Sequence, residues 1–259
     1  MLKLGGSVLT GPKAFRRVAQ FLKRHSELVP NEKLVVIVSA QKLATDTLER
    51  RAQGIVREPS VRALDLLWST GELCSVALLA LHLEAAGVCS VGLNVHETGL
   101  QFSTEHQPLP ARPVLKGPHL KAALREHAVV AVPGFLATRG DGAIVSLGRG
   151  GSDFSAVLLA IALRAVRCEL VKDVPGYFED DPRENAGAMH IPSLSFRAAL
   201  EMADRGCELV QRRALAAASE ANLPLVIRSI EEPAPVTIVS RTSADEKREA
   251  REDPVVAEV

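Results

Sequence analysis

The sequence predicts an α/β fold, a three-layer αβα sandwich around a mainly parallel central sheet. Three observations predict it. Short aliphatic runs alternate with helical patterns along almost the whole chain. The runs are apolar at nearly every position, which requires both sheet faces to be covered by helices. Glycine, hydroxyl and charged residues follow the runs directly, at the strand ends where open parallel sheets bind ligands. In order, a first strand carrying Lys3 ends at Gly5-Gly6-Ser7, and a helical pattern covers 13–25. The run 34–38 is a strand ending in Ser39, followed by helical windows at 71–86 and 119–126. The run 128–132 ends in Pro133-Gly134, and a helix is expected over 152–166. The run 168–171 ends at Lys172-Asp173, helical windows follow at 195–205 and 208–221, and a further strand is 225–227. One domain is expected over 1–239, then a solvated, frayed tail over 240–259 that is rich in Asp, Glu, Lys and Arg.

Composition narrows the function classes. The chain has 259 residues, 47% of them hydrophobic, which is enough for a large core. Its 31 basic and 31 acidic side chains balance, with no basic stripe, which argues against nucleic acid as a partner. The most apolar segment, from Val76 to Val88, is broken by His82 and Glu84 and reads as a buried helix, not a membrane span. The N-terminus has no secretory signal pattern, and a cytoplasmic location is expected. Cys74, Cys89, Cys168 and Cys207 are widely spaced and are expected to be reduced and mostly buried. No histidine or cysteine spacing matches a metal site, so no protein-held metal is expected.

The stretch Leu147-Gly148-Arg149-Gly150-Gly151-Ser152-Asp153-Phe154-Ser155 is the most informative in the chain. Its glycines let the backbone approach a ligand closely, and the helix start behind them offers free N–H groups to an anion. Arg149 supplies a planar fork suited to a carboxylate or phosphate. Ser152 is the expected helix cap, with Asp153 in the first turn. Phe154, Val157, Leu158 and Ile161 share one helical face and are expected to dock on the core. Taken alone, the stretch also reads as a tight loop with a capped helix.

Several segments, in order, carry a resemblance. Lys3-Leu4-Gly5-Gly6-Ser7 resembles an opening Lys-Phe-Gly-Gly-Thr/Ser, and Val38-Ser39-Ala40 with Thr45-Asp46 resembles a second loop. Leu67-Trp68-Ser69-Thr70-Gly71-Glu72 is similar to a Leu-Leu-Ser-x-Gly-Glu helix start, and Gly134-Phe135 to a Gly-Phe turn. Asp173-Val174-Pro175-Gly176-Tyr177-Phe178 with Asp181-Pro182-Arg183 is similar to a nucleotide-loop signature. Together with 147–153 they resemble the catalytic domain of aspartate kinases, in the amino acid kinase family, from Lys3 to about Val239. Neither a P-loop nor a G-x-G-x-x-G fingerprint is present.

The resemblance implies ATP-dependent phosphorylation of the side-chain carboxylate of L-aspartate or a close analogue, with Mg²⁺ accompanying ATP, a place in amino-acid biosynthesis, and a homodimer. It implies that Lys3 and Asp153 are catalytic, and that Ser39, Thr45, Glu72, Phe135, Arg149 and Ser152 bind the amino acid. Gly5, Gly6, Ser7, Lys172, Asp173, Phe178 and Arg183 would bind the nucleotide. Read without it, Glu72 equally complements a helix N-terminus, Asp173 and Asp181 are ordinary turn residues, and Tyr177 is a core aromatic.

Three positions depart from the resemblance. Lys42 and Leu43 stand where small residues are usual, and their bulk is expected to reshape the substrate pocket or its lid. Glu208-Leu209-Val210-Gln211-Arg212-Arg213 stands where a Lys-Val-Leu-His-Pro-Arg stretch places a lysine on phosphate, and Lys172 replaces a small hydroxyl residue. The expected compensation is that Lys172 takes over the phosphate contact while Glu208 pairs with it or faces solvent. The alternatives are a same-fold kinase acting on another carboxylate or a phosphate, and a catalytically impaired, nucleotide-binding regulatory paralogue. Aspartate kinases usually carry ACT domains that bind lysine or threonine. With only a charged tail after Val239, the isolated protein is expected to lack feedback inhibition by these amino acids.

Overall fold

A computed structural model describes residues 1–102, 113, 115–148, 150–182, 184–185, 187–231 and 233–241. The chain opens with β1 (Leu2–Leu4), α1 (Pro12–Leu28), β2 (Leu34–Val38), α2 (Ala44–Gln53) and the long α3 (Val61–Ala85). β3 (Ser90–Gly92), α4 (Val95–Thr98), α5 (His119–Glu126) and β4 (Val129–Pro133) follow, then a hairpin of β5 (Leu136–Thr138) and β6 (Ile144–Ser146). Next come α6 (Gly151–Leu163), β7 (Cys168–Lys172), β8 (Tyr177–Phe178), β9 (His190–Ile191) and β10 (Ser193–Ser195). α7 (Phe196–Asp204), α8 (Arg212–Glu220), β11 (Leu225–Ser229) and β12 (Val236–Ser240) complete the described fold.

Eight strands form one sheet in the order β10-β12-β11-β7-β1-β2-β4-β3, parallel throughout except for the β11–β12 pair. The αβα sandwich expected from the aliphatic runs is therefore present. The chain leaves central β1 for β2 on one side and later adds β7 on the other. This makes the crevice beyond the β1 C-terminus a topological switch point.

Strand alternation divides the core in two. Leu2, Leu4, Val36 and Val38 face α1 and α3, where they bury Phe15, Leu22, Leu79 and Leu83. Ile37, Val132, Leu170 and Ile227 face the other way, toward α6 and α8. Burying each such side chain contributes about 1.5–3 kcal/mol, so both layers are needed to hold the sheet. Phe154, Val157 and Leu158 are buried on α6, and Ile161 packs against that core from a half-buried position.

Several local expectations are corrected. The helix expected at 71–86 begins at Val61, where Ser60 Oγ accepts from Ala63 N at 3.3 Å. Charged Arg62 and exposed Leu66 disguise its first turns. Leu67 to Glu72 thus lies inside the helix, not at its start, and Glu72 cannot be serving a helix N-terminus. α3 is long and apolar enough by composition to cross a membrane. Here its Val76, Leu79 and Leu83 are buried against the sheet, and buried Asp65 accepts from Ser146 N at 3.1 Å. Ser152 does not cap α6. Gly150, at φ 75° and ψ 5°, is the N-cap, a left-handed conformation that costs glycine nothing. The 208–221 window becomes helical only at Arg212, because the Gln211 N–H turns to Asp153. All four cysteines are free, but only Cys168 is buried, since Cys74 and Cys89 are exposed. The last strand takes in Ser240, the first residue of the expected tail, and residues 242–259 lie outside the described residues.

Candidate functional site

Two clefts open at the switch point. One, of about 610 Å³, is lined by Ser39, Thr45, Trp68, Glu72, Phe135 and Ser152 among others. The second, of about 960 Å³, is lined by Gly5, Lys172, Asp173, Phe178, Glu208 and neighbouring residues. Lys3, Gly6 and Ser7 line both, so the clefts meet over the turn after β1. That turn must be glycine at position 6, because a Cβ there would stand 2.7 Å from the Ala40 carbonyl oxygen.

The β1 register explains the chemistry at the junction. Leu2 and Leu4 point to the α1/α3 layer, so Lys3 between them points to α6. Lys3 is paired with Leu170 of β7, and Lys172, two residues further on, shares the Leu170 face. Both lysines therefore reach Asp153 in the first turn of α6. Lys3 Nζ lies 2.8 Å from Asp153 Oδ1, and Lys172 Nζ donates to Oδ1 and Oδ2 at 3.0 and 2.7 Å. Gln211 N donates to Oδ2 at 3.3 Å. All three side chains are largely buried, at 7%, 13% and 6% exposure for Lys3, Lys172 and Asp153. Burial alone would raise the Asp153 carboxyl, but Lys3 and Lys172 outweigh it and hold the group well below the usual carboxylate range. Burial and the nearby Lys3 pull Lys172 below its ordinary value, against the attraction of Asp153. Two ammonium groups thus share the Asp153 carboxylate where the clefts join, with Asp173 as a further attraction on Lys172.

The first cleft has a different character. Trp68 and Glu72 sit one turn apart on the same face of α3, and the Trp68 ring meets Phe135 edge-on at 5.8 Å. Burial pushes the Glu72 carboxyl up to about 8, although a backbone hydrogen bond at Ala40 and the Lys3 charge both lower it. Ser39 Oγ, Trp68 Nε1 and Glu72 Oε2 are buried without a hydrogen-bond partner among the described residues. Orphaned buried polar atoms gathered at a cleft are the mark of a site completed by a ligand. Leu43 and Phe135, both lining this cleft, hold positive φ values of 66° and 64°, a conformation costly for such side chains. Lys42 and Leu43 are exposed at its mouth, with Leu43 63% exposed.

Of the expected site residues, Lys3, Gly6 and Ser7 sit at the junction, with Asp153 held by Lys3 beneath it. Ser39, Thr45, Glu72, Phe135 and Ser152 line the first cleft, and Gly5, Lys172, Asp173 and Phe178 the second. Arg149 and Arg183 lie outside the described residues. Glu208 is exposed on the wall of the second cleft, and the Lys172 ammonium goes to Asp153. Tyr177 is buried, as expected of a core aromatic.

Sequence reasoning misses three contributors. Trp68 lies four residues before Glu72, a helical spacing that flags it only when the helix is started at Val61. Gln211 anchors Asp153, and its side chain packs against Gly150. Arg213 donates to the Leu147 carbonyl at 3.2 Å and lies 4.4 Å from the centre of the Phe154 ring, fastening the glycine loop from behind. Nothing local in the sequence signals these last two contacts.

Known proteins resemble this chain. An aspartokinase of Pseudomonas aeruginosa is 34% identical over 98% of this chain and 60% of its own length. One of Geobacillus stearothermophilus is 37% identical over 88% of this chain and 55% of its own. The crystal structure of aspartate kinase from Synechocystis superposes with a TM-score of 0.81 at 36% identity, covering 93% of this chain and 40% of that one. The chain thus spans about 60% or less of the length of these relatives. The sequence profile of the amino acid kinase family matches residues 1–229, which contain both clefts and the lysine–aspartate cluster between them, and the chain belongs to that family.

Proposed function

We propose that the chain transfers the γ-phosphoryl group of ATP to the side-chain carboxylate of L-aspartate, giving 4-phosphoaspartate and ADP. The observation that carries this reading is the meeting of two clefts over Lys3, with Asp153 holding the Lys3 ammonium at the junction. The similarity to aspartokinases supports aspartate as the acceptor.

A carboxylate with a pKa of about 4 is ionised at neutral pH, so no general base is required. The obstacle is electrostatic. Two unit anions about 4 Å apart repel by about 4 kcal/mol at an effective dielectric of about 20, so positioning and neutralisation dominate. Lys3 neutralises the group in flight, the Gly5-Gly6 backbone cradles it, and Asp153 fixes the Lys3 ammonium. In the first cleft Glu72 holds the acceptor ammonium and Arg149 its α-carboxylate, with Ser39, Thr45, Phe135 and Ser152 completing the wall. In the second, Ser7, Lys172, Asp173, Phe178 and Arg183 hold the nucleotide. Mg²⁺ bound to the phosphates of ATP would supply further positive charge there. A cytoplasmic homodimer belongs to the same reading.

The test is ADP release from Mg-ATP with L-aspartate, trapping the acyl phosphate with hydroxylamine, beside Arg149→Ala. Hydroxamate formed by the wild type and lost in the variant is the expected result. ATP binding without hydroxamate would replace aspartate by another acceptor. Absence of ATP binding would leave a regulatory paralogue.

A further inference from the structure

We propose that Lys172 is a second catalytic cation, contacting the transferred phosphoryl group from the nucleotide side while Lys3 contacts it from the junction. This rests on the phosphotransfer reading above. The two lysines come from adjacent parallel strands, and the register places them on one face, converging on a single carboxylate. Asp153 is shared by both ammonium groups, with Asp173 as a further attraction on Lys172, and buried cations that share a counter-charge gain from an arriving anion. Lys172 lines the second cleft, and Lys3 lines both, so an anion between the clefts meets both ammonium groups. Asp153 and Gln211 then serve to hold the pair in register, with the Gln211 N–H donating to the same Oδ2 that Lys172 bonds.

The step balances without a proton. An oxygen of the acceptor carboxylate forms the new P–O bond, the bond from the γ-phosphorus to the bridging oxygen breaks, and ADP keeps the electron pair. Negative charge spreads over the moving phosphoryl oxygens, where fixed cations in a water-poor site are most effective.

Lys172→Met preserves the bulk of the stem without the charge. It is expected to lower kcat about 100-fold or more while the KM for L-aspartate moves less than about threefold. Placing a lysine at another position lining the same cleft, as Lys172→Met with Glu208→Lys, is expected to recover at least about tenfold of that loss. A kcat for Lys172→Met within about threefold of wild type would overturn the proposal. So would a loss that tracks a lowered thermal midpoint and is restored neither by Glu208→Lys nor, in a separate variant, by Lys172→Arg, since that marks a structural ion pair. Calorimetric affinities for ATP and ADP, measured on the full chain without acceptor, address Lys172 whatever the acceptor is. The preference for ATP over ADP is expected to fall about tenfold in Lys172→Met, and an unchanged preference would refute the contact. A wild type that makes no hydroxamate from aspartate would remove the acceptor assignment and leave that calorimetric ratio to decide on Lys172.

Discussion

Replacing Glu72 by glutamine should flatten the pH dependence of stability, and the structure gives the size of the change. Burial pushes the Glu72 carboxyl from 4.5 up to about 8. Between those values the unfolded chain has released the proton and the folded chain keeps it. The contribution is therefore fully present below about pH 4.5 and is lost as pH rises toward 8, at about 1.4 kcal/mol per unit. Over the whole window the limit is about 5 kcal/mol. A glutamine amide has nearly the shape of the protonated acid and nothing to titrate. Glu72→Gln and wild type should therefore match near pH 5 and diverge steadily above it, with the variant more stable. Taking the difference between the two proteins cancels the titration of every other group, including Asp153, whose effect has the opposite sign. Urea unfolding at half-unit steps from about pH 5 to pH 8.5 measures it directly. Parallel curves would show that Glu72 titrates as an exposed carboxyl and would refute the account of the first cleft. The same proton must leave when an acceptor ammonium docks on Glu72. Wild-type affinity for L-aspartate should then rise about tenfold per pH unit below 8, and that of Glu72→Gln should be weak and flat.

Two further outcomes follow from the junction. Asp153→Asn leaves Lys3 and Lys172 facing each other without a counter-charge, and should cost about 3–5 kcal/mol in urea unfolding as well as abolishing turnover; wild-type stability would overturn the assignment of Asp153 as their anchor. Arg213→Ala removes the bond to the Leu147 carbonyl and the contact with Phe154. It should weaken L-aspartate binding about tenfold through the loosened glycine loop while the KM for ATP holds, and equal losses for both substrates would locate its effect elsewhere.

The clefts are legible in the sequence to unequal degrees. Ser39, Thr45, Phe135 and Ser152 are legible through the motifs that resemble the aspartate kinases, and all four line the first cleft. Trp68 escapes because Ser60 offers a cap with no acidic residue behind it, so the apolar pattern starts the helix ten residues late. Serine suits a cap, which is what the sequence predicts at 152; Gly150 takes that place because the backbone there is left-handed. The pairings of Asp153 with Lys3, Lys172 and Gln211 join residues far apart in the chain and leave no trace in any local window.

By itself the sequence determined the layers, the sheet's mainly parallel character, and the turns that line the clefts. Those depend on side-chain period, caps and glycine, which act between near neighbours along the chain. Only the tertiary structure decided that β1 lies between β2 and β7, and hence that Lys3 and Lys172 share one face and one carboxylate. Strand order fixes which distant side chains meet, and burial then fixes their charge. An isolated Lys172 or Glu72 would titrate ordinarily, and both are shifted here because the fold removes them from water.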